Sequence, residues 1–171
     1  MMETRETSGP TLATLVGLTV LMLVLGLFWA TRPFPSLSSY SNSSSCVDTQ
    51  VAAGQRVHPS EVLVSVFNAG RKSGSASKAM KKFMRRGFAP GDTGNAGTAG
   101  VKKVEVWADP SSPAAQLVAA QFGAGTPIVD GKPVLGDGVV VVVGDGLHTW
   151  HAKVPSVTAD ADSFICGPKV P

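Results

Sequence analysis

A strand, a glycine-bearing loop and an amphipathic helix follow one another without a break between Glu61 and Phe88, and no other run limits the fold as much. The stretch reads EVLVSVFNAGRKSGSASKAMKKFMRRGF. Val62, Val64 and Val66 alternate with Leu63, Ser65 and Phe67, the period of two that sends neighbours to opposite faces of a sheet. Their β-branched content favours a strand over a helix. Asn68, Gly70, Ser73 and Gly74 then break the run with turn-forming residues. Ala76, Ala79, Met80, Phe83 and Met84 recur at spacings of three and four, the signature of one helical face. Lys78, Lys81, Lys82, Arg85 and Arg86 occupy the remaining surface. Gly87 supplies a left-handed stop, and Phe88 is placed to fold back onto the last turn. The apolar face of this helix must pack on a sheet, so the domain is built in α and β layers.

Before this run, Leu12 to Ala30 holds 19 residues without a charge. A helix of that length spans about 28 Å, close to the roughly 30 Å hydrocarbon core of a bilayer. Trp29 stands at its end, where an amphipathic ring suits the lipid–water interface. A cleaved signal peptide would need a small residue where Phe28 stands. A lipoprotein signal fails because Cys46 follows three serines, far beyond the apolar run. The expectation is an uncleaved, single-pass signal anchor. Residues 1–11 form a cytoplasmic head, residues 12–30 the transmembrane helix, and residues 31–45 a Pro- and Ser-rich linker that cannot bury enough to order itself. Residues 46–171 form the extracytoplasmic domain, with its core over about 61–145.

The two cysteines, Cys46 and Cys166, bracket that domain. Outside a membrane they are expected to pair as a disulfide. Neither has a Cys or His neighbour at ligand spacing, so no metal site is expected. With 15 Lys and Arg against 12 Asp and Glu, the basic excess does not point to nucleic acid.

After Phe88, the Gly-rich segment Ala89–Gly100 has room for at most a short edge strand. Lys103–Ala108 reads as a strand ended by Asp109 and Pro110. Ser112 and Pro113 are placed to open a second helix whose apolar stripe is Leu117, Val118 and Phe122. Pro127–Val129 is a short strand. Val139–Val143 is too apolar for a strand with an exposed face. Asp-Gly pairs at Asp130, Asp137 and Asp145 fit turns, and the tail beyond Gly146 reads as irregular until Cys166 ties it down. This order predicts an α+β two-layer sandwich of four to five strands with two helices on one face, in a ferredoxin-like split arrangement.

Several pieces together resemble the LytR C-terminal domain family of Gram-positive envelope proteins. They are VLVSVFNAG, Gly74 and Ala76 at the helix start, Arg86-Gly87-Phe88, Gly94-Asn95-Ala96, the strand KVEVW, the helix over Ala114–Phe122 and the closing VVVVVGD. The resemblance covers about Glu61 to Asp145, and Ser75 stands where the family more often has an apolar residue. It implies an accessory envelope module. The glycopolymer-ligase domain of the family's founding proteins has no room in this chain, and the resemblance carries over no catalytic residue.

Two candidate contacts for an anion remain. In the loop, Asn68, Arg71, Lys72 and Ser73 lead into a helix amino terminus whose free N–H groups could hold an anion; a plain turn is the simpler reading. On the helix, Lys78, Lys82 and Arg85 form a stripe, where the alternative is a solvated face with its last Arg residues set against the helix dipole. His148 and His151 read as surface residues. There is no Ser-His-Asp set, catalytic cysteine or dinucleotide fingerprint. The expected function is therefore a non-enzymatic, membrane-anchored module without a cofactor, partnered by a cell-wall glycopolymer or an envelope ligase protein. The alternative is an enzyme acting on phosphorylated or lipid-linked envelope glycans.

Overall fold

The computed structural model describes residues 9–30, 46–97 and 100–169. Two units, Met1–Ser43 and Ser44–Pro171, are each compact. The expected head and linker lie almost wholly outside the described residues. In the first unit, helix α1 runs from Gly9 to Ala30, beginning earlier than the uncharged run predicts. It is apolar all round: Leu15, Met22 and Leu27 are all exposed on it. Its side chains are described over residues 13–28, and among the described residues no helix is long and apolar enough to cross a membrane.

In the second unit the chain begins with β1 (Cys46–Val51) and β2 (Arg56–Val57), then a 3-10 turn over Pro59–Glu61. Next come β3 (Leu63–Asn68), α2 (Ser75–Arg86), β4 (Ala89–Asn95), β5 (Val104–Trp107), α3 (Pro113–Ala120), β6 (Ile128–Val129) and β7 (Val139–Val143). This succession from β3 onward is the one the sequence predicts. The chain ends with β8 (Val157–Thr158) and β9 (Ser163–Pro168).

The main sheet has five strands in the order β4-β3-β7-β5-β6. β3 is parallel to both β4 and β7, β5 is antiparallel to β7, and β6 is parallel to β5. The ferredoxin-like split expectation is thus corrected. In a split arrangement a third strand separates the two that flank a helix. Here β3 and β4 pair directly, β5 and β6 pair directly, and β7 enters between these two βαβ units. The all-valine composition of β7 fits that central place, with both of its faces buried.

Register assigns the faces. Val64 lies beside Val139, Val66 beside Val141 and Val106 beside Val141. These residues share one core with Ala79, Met80 and Phe83 of α2 and with Leu117 and Val118 of α3. Both helices therefore cover one face, as predicted. On the other face Phe67, Trp107, Val140 and Val142 pack under Val101 and Leu135 from the connecting segments. Gly87 is left-handed at φ 97°, and Phe88 does fold back, its ring 5.2 Å from that of Phe83. Ser112 stands at the start of α3, but its side chain makes no capping hydrogen bond.

β4 is longer than the Gly-rich composition suggests. It is held by backbone pairing to β3 across a bulge, and by buried Ser65. The Ser65 hydroxyl accepts from Asp92 N–H at 2.9 Å and donates to the Asp137 carbonyl at 2.6 Å.

The tail is ordered too. β9 pairs antiparallel with β1, and β8 with β2. Val51, Val57, Ala159 and Ile165 from these ribbons join the helix-side core. Cys46 and Cys166 form a disulfide with Cα atoms 5.3 Å apart, which joins the two ends of the domain as expected.

Candidate anion-binding groove

β3 and β7 are parallel neighbours, and their carboxyl ends, Asn68 and Val143, lie side by side. The loop that leads into α2 and the loop that follows β7 therefore meet. Crevices at the carboxyl ends of parallel strands are where open α/β sheets place ligands. What fills the first part of this crevice is the protein's own carboxylate. Arg71 N–H and Lys72 N–H each donate to Asp145 at 3.0 Å, and the Arg71 guanidinium stands 3.7 Å away. These bonds, that from Arg71 first and that from Lys72 next, hold the Asp145 carboxyl below its ordinary value, against a smaller opposing effect of desolvation. A Cβ at Gly70 would strike the Asp145 carboxylate, so glycine permits the approach.

Asn68 closes the same turn. Its side-chain amide donates to the carbonyls of Gly70 and Lys72 at 3.1 and 3.0 Å, and its carbonyl accepts from Gly70 N–H at 3.0 Å. Three amides of the loop, those of Gly70, Arg71 and Lys72, are thus satisfied by the protein's own side chains. Asn68 is buried, whereas the Arg71 side chain is 99% exposed. Ser73 is exposed and does not line the groove described next.

The groove, of about 400 Å³, lies between α2 and the segment after β7. Lys72 from the loop and Lys78, Lys82 and Arg85 from α2 line one side. Val143, Leu147, His148 and Trp150 line the other. Four of the seven contact residues expected from sequence are thus brought together, and Asn68, Arg71 and Ser73 are left out. α2 has no acidic residue. Asp145 also borders the groove, but its carboxylate is engaged by the loop amides. Among the described residues, none of the four cations is paired with a carboxylate.

Trp150 shapes the wall. Its ring packs against Phe83 and Phe122, with centroids 5.0 and 4.5 Å apart. Lys82 Nζ lies 4.9 Å from the ring centroid and the Arg86 guanidinium 5.1 Å from it, both within cation–π range. Burial lowers the Lys82 pKa from its ordinary value, and the charges of Arg86 and Arg85 lower it further. Lys82 is therefore a crowded cation.

Arg86 is separate from the stripe. It donates to the Gln121 side-chain oxygen at 2.6 Å and to the Gln121 carbonyl at 3.2 Å, tying α2 to the end of α3. Gln121 is itself fully buried.

Trp150, His148, Leu147 and the latch role of Asp145 were not foreseen from sequence. The available signal was that VFNAG and VVVVVGD both end strands, which becomes informative once those strands are known to be parallel neighbours. Among the described residues no group of His, Cys, Asp and Glu is arranged to hold a metal ion.

No curated protein matches the chain. One similar solved structure is the soluble domain of a conserved hypothetical secreted protein from Mycobacterium marinum. It is 21% identical with a TM-score of 0.44, covering 58% of this chain and 76% of that one. The family model described as LytR cell envelope-related transcriptional attenuator matches residues 61–146, half of the 171 residues and the stretch from the end of the 3-10 turn to the loop after β7. Over that stretch the motif residues bind one another, Asn68 closing the loop that Asp145 latches, and the chain belongs to the LytR C-terminal domain family.

Proposed function

We propose that this chain is a membrane-anchored, extracytoplasmic interaction module of the cell envelope whose groove binds an anionic cell-wall glycopolymer, without catalysis. One observation carries the reading: Lys72, Lys78, Lys82 and Arg85 gather on one groove with no paired carboxylate among the described residues. The uncharged run from Leu12 to Ala30 supports the anchor. The Cys46–Cys166 disulfide supports an oxidising compartment, and the family's description supports the envelope.

The test uses a purified poly(polyol phosphate) and the triple variant Lys78→Glu, Lys82→Glu, Arg85→Glu. Each charge near an anionic surface contributes about 1 kcal/mol, so removing three weakens binding roughly a hundredfold and reversing them more. Binding by the wild type should also fall steeply with salt. A triple variant that binds like the wild type refutes the reading. Turnover of a lipid-linked glycan phosphate by the purified protein would replace it with the enzymatic alternative.

A further inference from the structure

The basic groove does not end at the loop after β7. A second depression of about 450 Å³ opens beyond it, and Leu147 and His148 line both. Phe122, Thr126 and Pro127 wall the second depression. A third, of about 380 Å³, shares Lys103, Val104 and Pro127 with the second and adds Lys102 and Glu105.

Backbone chemistry explains why the three adjoin. Gly144 N–H and Gly146 N–H donate to the carbonyls of Lys103 and Lys102, both at 2.8 Å. The segment before β5 therefore lies directly against the loop after β7. A Cβ at Gly144 would strike the Val101 carbonyl oxygen, and one at Gly146 would sit 2.7 Å from that of Lys102. Two glycines thus keep side chains out of the junction. Cations stand at both ends, Lys72, Lys78, Lys82 and Arg85 at one and Lys102 and Lys103 at the other. Glu105 at the far end is partly engaged, accepting from the Trp107 indole N–H at 3.0 Å.

We propose that the three depressions form one track that holds a linear polyanionic glycan, with its anionic groups repeated along the chain, across both cation clusters. This rests on the cationic groove proposed above and extends it. A single anion engages one cluster. An oligomer long enough to reach the second makes that contact intramolecularly, so affinity rises sharply once the span is covered. A lipid headgroup offers no such length dependence.

The experiment titrates the full chain, in micelles of neutral headgroup, with oligogalacturonates from dimer to dodecamer. The paired variants are Lys102→Glu with Lys103→Glu, repeated as the milder Lys102→Gln with Lys103→Gln, and melting curves confirm that each is folded. The expected result is a step of about tenfold or more in affinity between short and long oligomers. The distal variants should erase that step, so that the dodecamer binds no more tightly than short oligomers do, while the Lys78, Lys82 and Arg85 reversal should weaken binding at every length. Affinity that grows only in proportion to the number of repeats, or distal variants that bind the dodecamer like the wild type, would overturn the track and leave the first groove standing. No oligomer binding by the wild type would overturn both readings. Binding to phosphatidylglycerol vesicles but to no oligomer would assign the cations to a lipid surface instead.

Discussion

Trp150→Ala tests whether the segment after β7 is part of the core and of the groove wall at once. The ring lies against Phe83 and Phe122, and such pairs contribute about 0.5–1.5 kcal/mol each beyond burial. It also lies under Lys82 and Arg86, at about 0.5–1 kcal/mol each for cation–π contacts near the surface. The four contacts together come to about 2–5 kcal/mol. At about 2.1 cal/mol/K per residue, residues 46–171 unfold with an entropy of about 0.26 kcal/mol/K, so the Tm should fall by about 8–19 °C. Differential scanning calorimetry measures this directly. Trp150→Phe, which keeps a ring between Phe83 and Phe122, should recover most of the loss. A fall under about 3 °C for the alanine variant would mean that the ring is not seated as described.

Three further outcomes follow from the same geometry. Replacing Cys46 and Cys166 by serine reopens a loop closed across 120 residues and should cost about 4.9 kcal/mol in the chain-entropy model, read from urea unfolding with and without reductant. Arg86→Ala should destabilise by about 2 kcal/mol, since it strips a charged partner from buried Gln121, whereas exposed Arg85→Ala should stay within about 0.5 kcal/mol; thermal melts of the pair separate the two roles. The depressed carboxyl of Asp145 contributes stability that is fully present above its ordinary value of 3.8 and is lost as pH falls through its lower folded value. The stability gap between wild type and Asp145→Asn, followed by denaturant unfolding across acid pH, should therefore be widest above about pH 4 and shrink below it.

The sequence made the local elements readable where a period was strong. β3 and α2 show it plainly, and the five valines of β7 could belong only to a strand buried on both faces. The strand order was not readable, because nothing local states that β7 slips between two βαβ units. β4 was underestimated because its residues, APGDTGN, carry almost no apolar signal; its pairing depends on the backbone and on Ser65 from the neighbouring strand. The terminal ribbons are pairings between the two ends of the domain, and Cys46 and Cys166 alone hinted at them. For the groove, the helical stripe was legible because spacing alone puts Lys78, Lys82 and Arg85 on one side of α2. The opposite wall was not, since Leu147, His148 and Trp150 come from a segment whose composition reads as loop. In the loop before α2, the Arg71 and Lys72 amides hold Asp145, a carboxylate from beyond β7 that nothing local to the loop announces.

The proposed function requires an anionic polymer to bind along the cationic face of α2, in the groove shared with the segment after β7. Amide-resolved nuclear magnetic resonance of isotopically labelled residues 46–171, titrated with inorganic polyphosphate at low salt, tests it most directly. The largest shifts should fall on Lys72, Lys78, Lys82, Arg85 and residues 147–150, and should collapse as salt is raised. Shifts centred on the β1–β9 ribbon or on β4, or none at all at low salt, would contradict it.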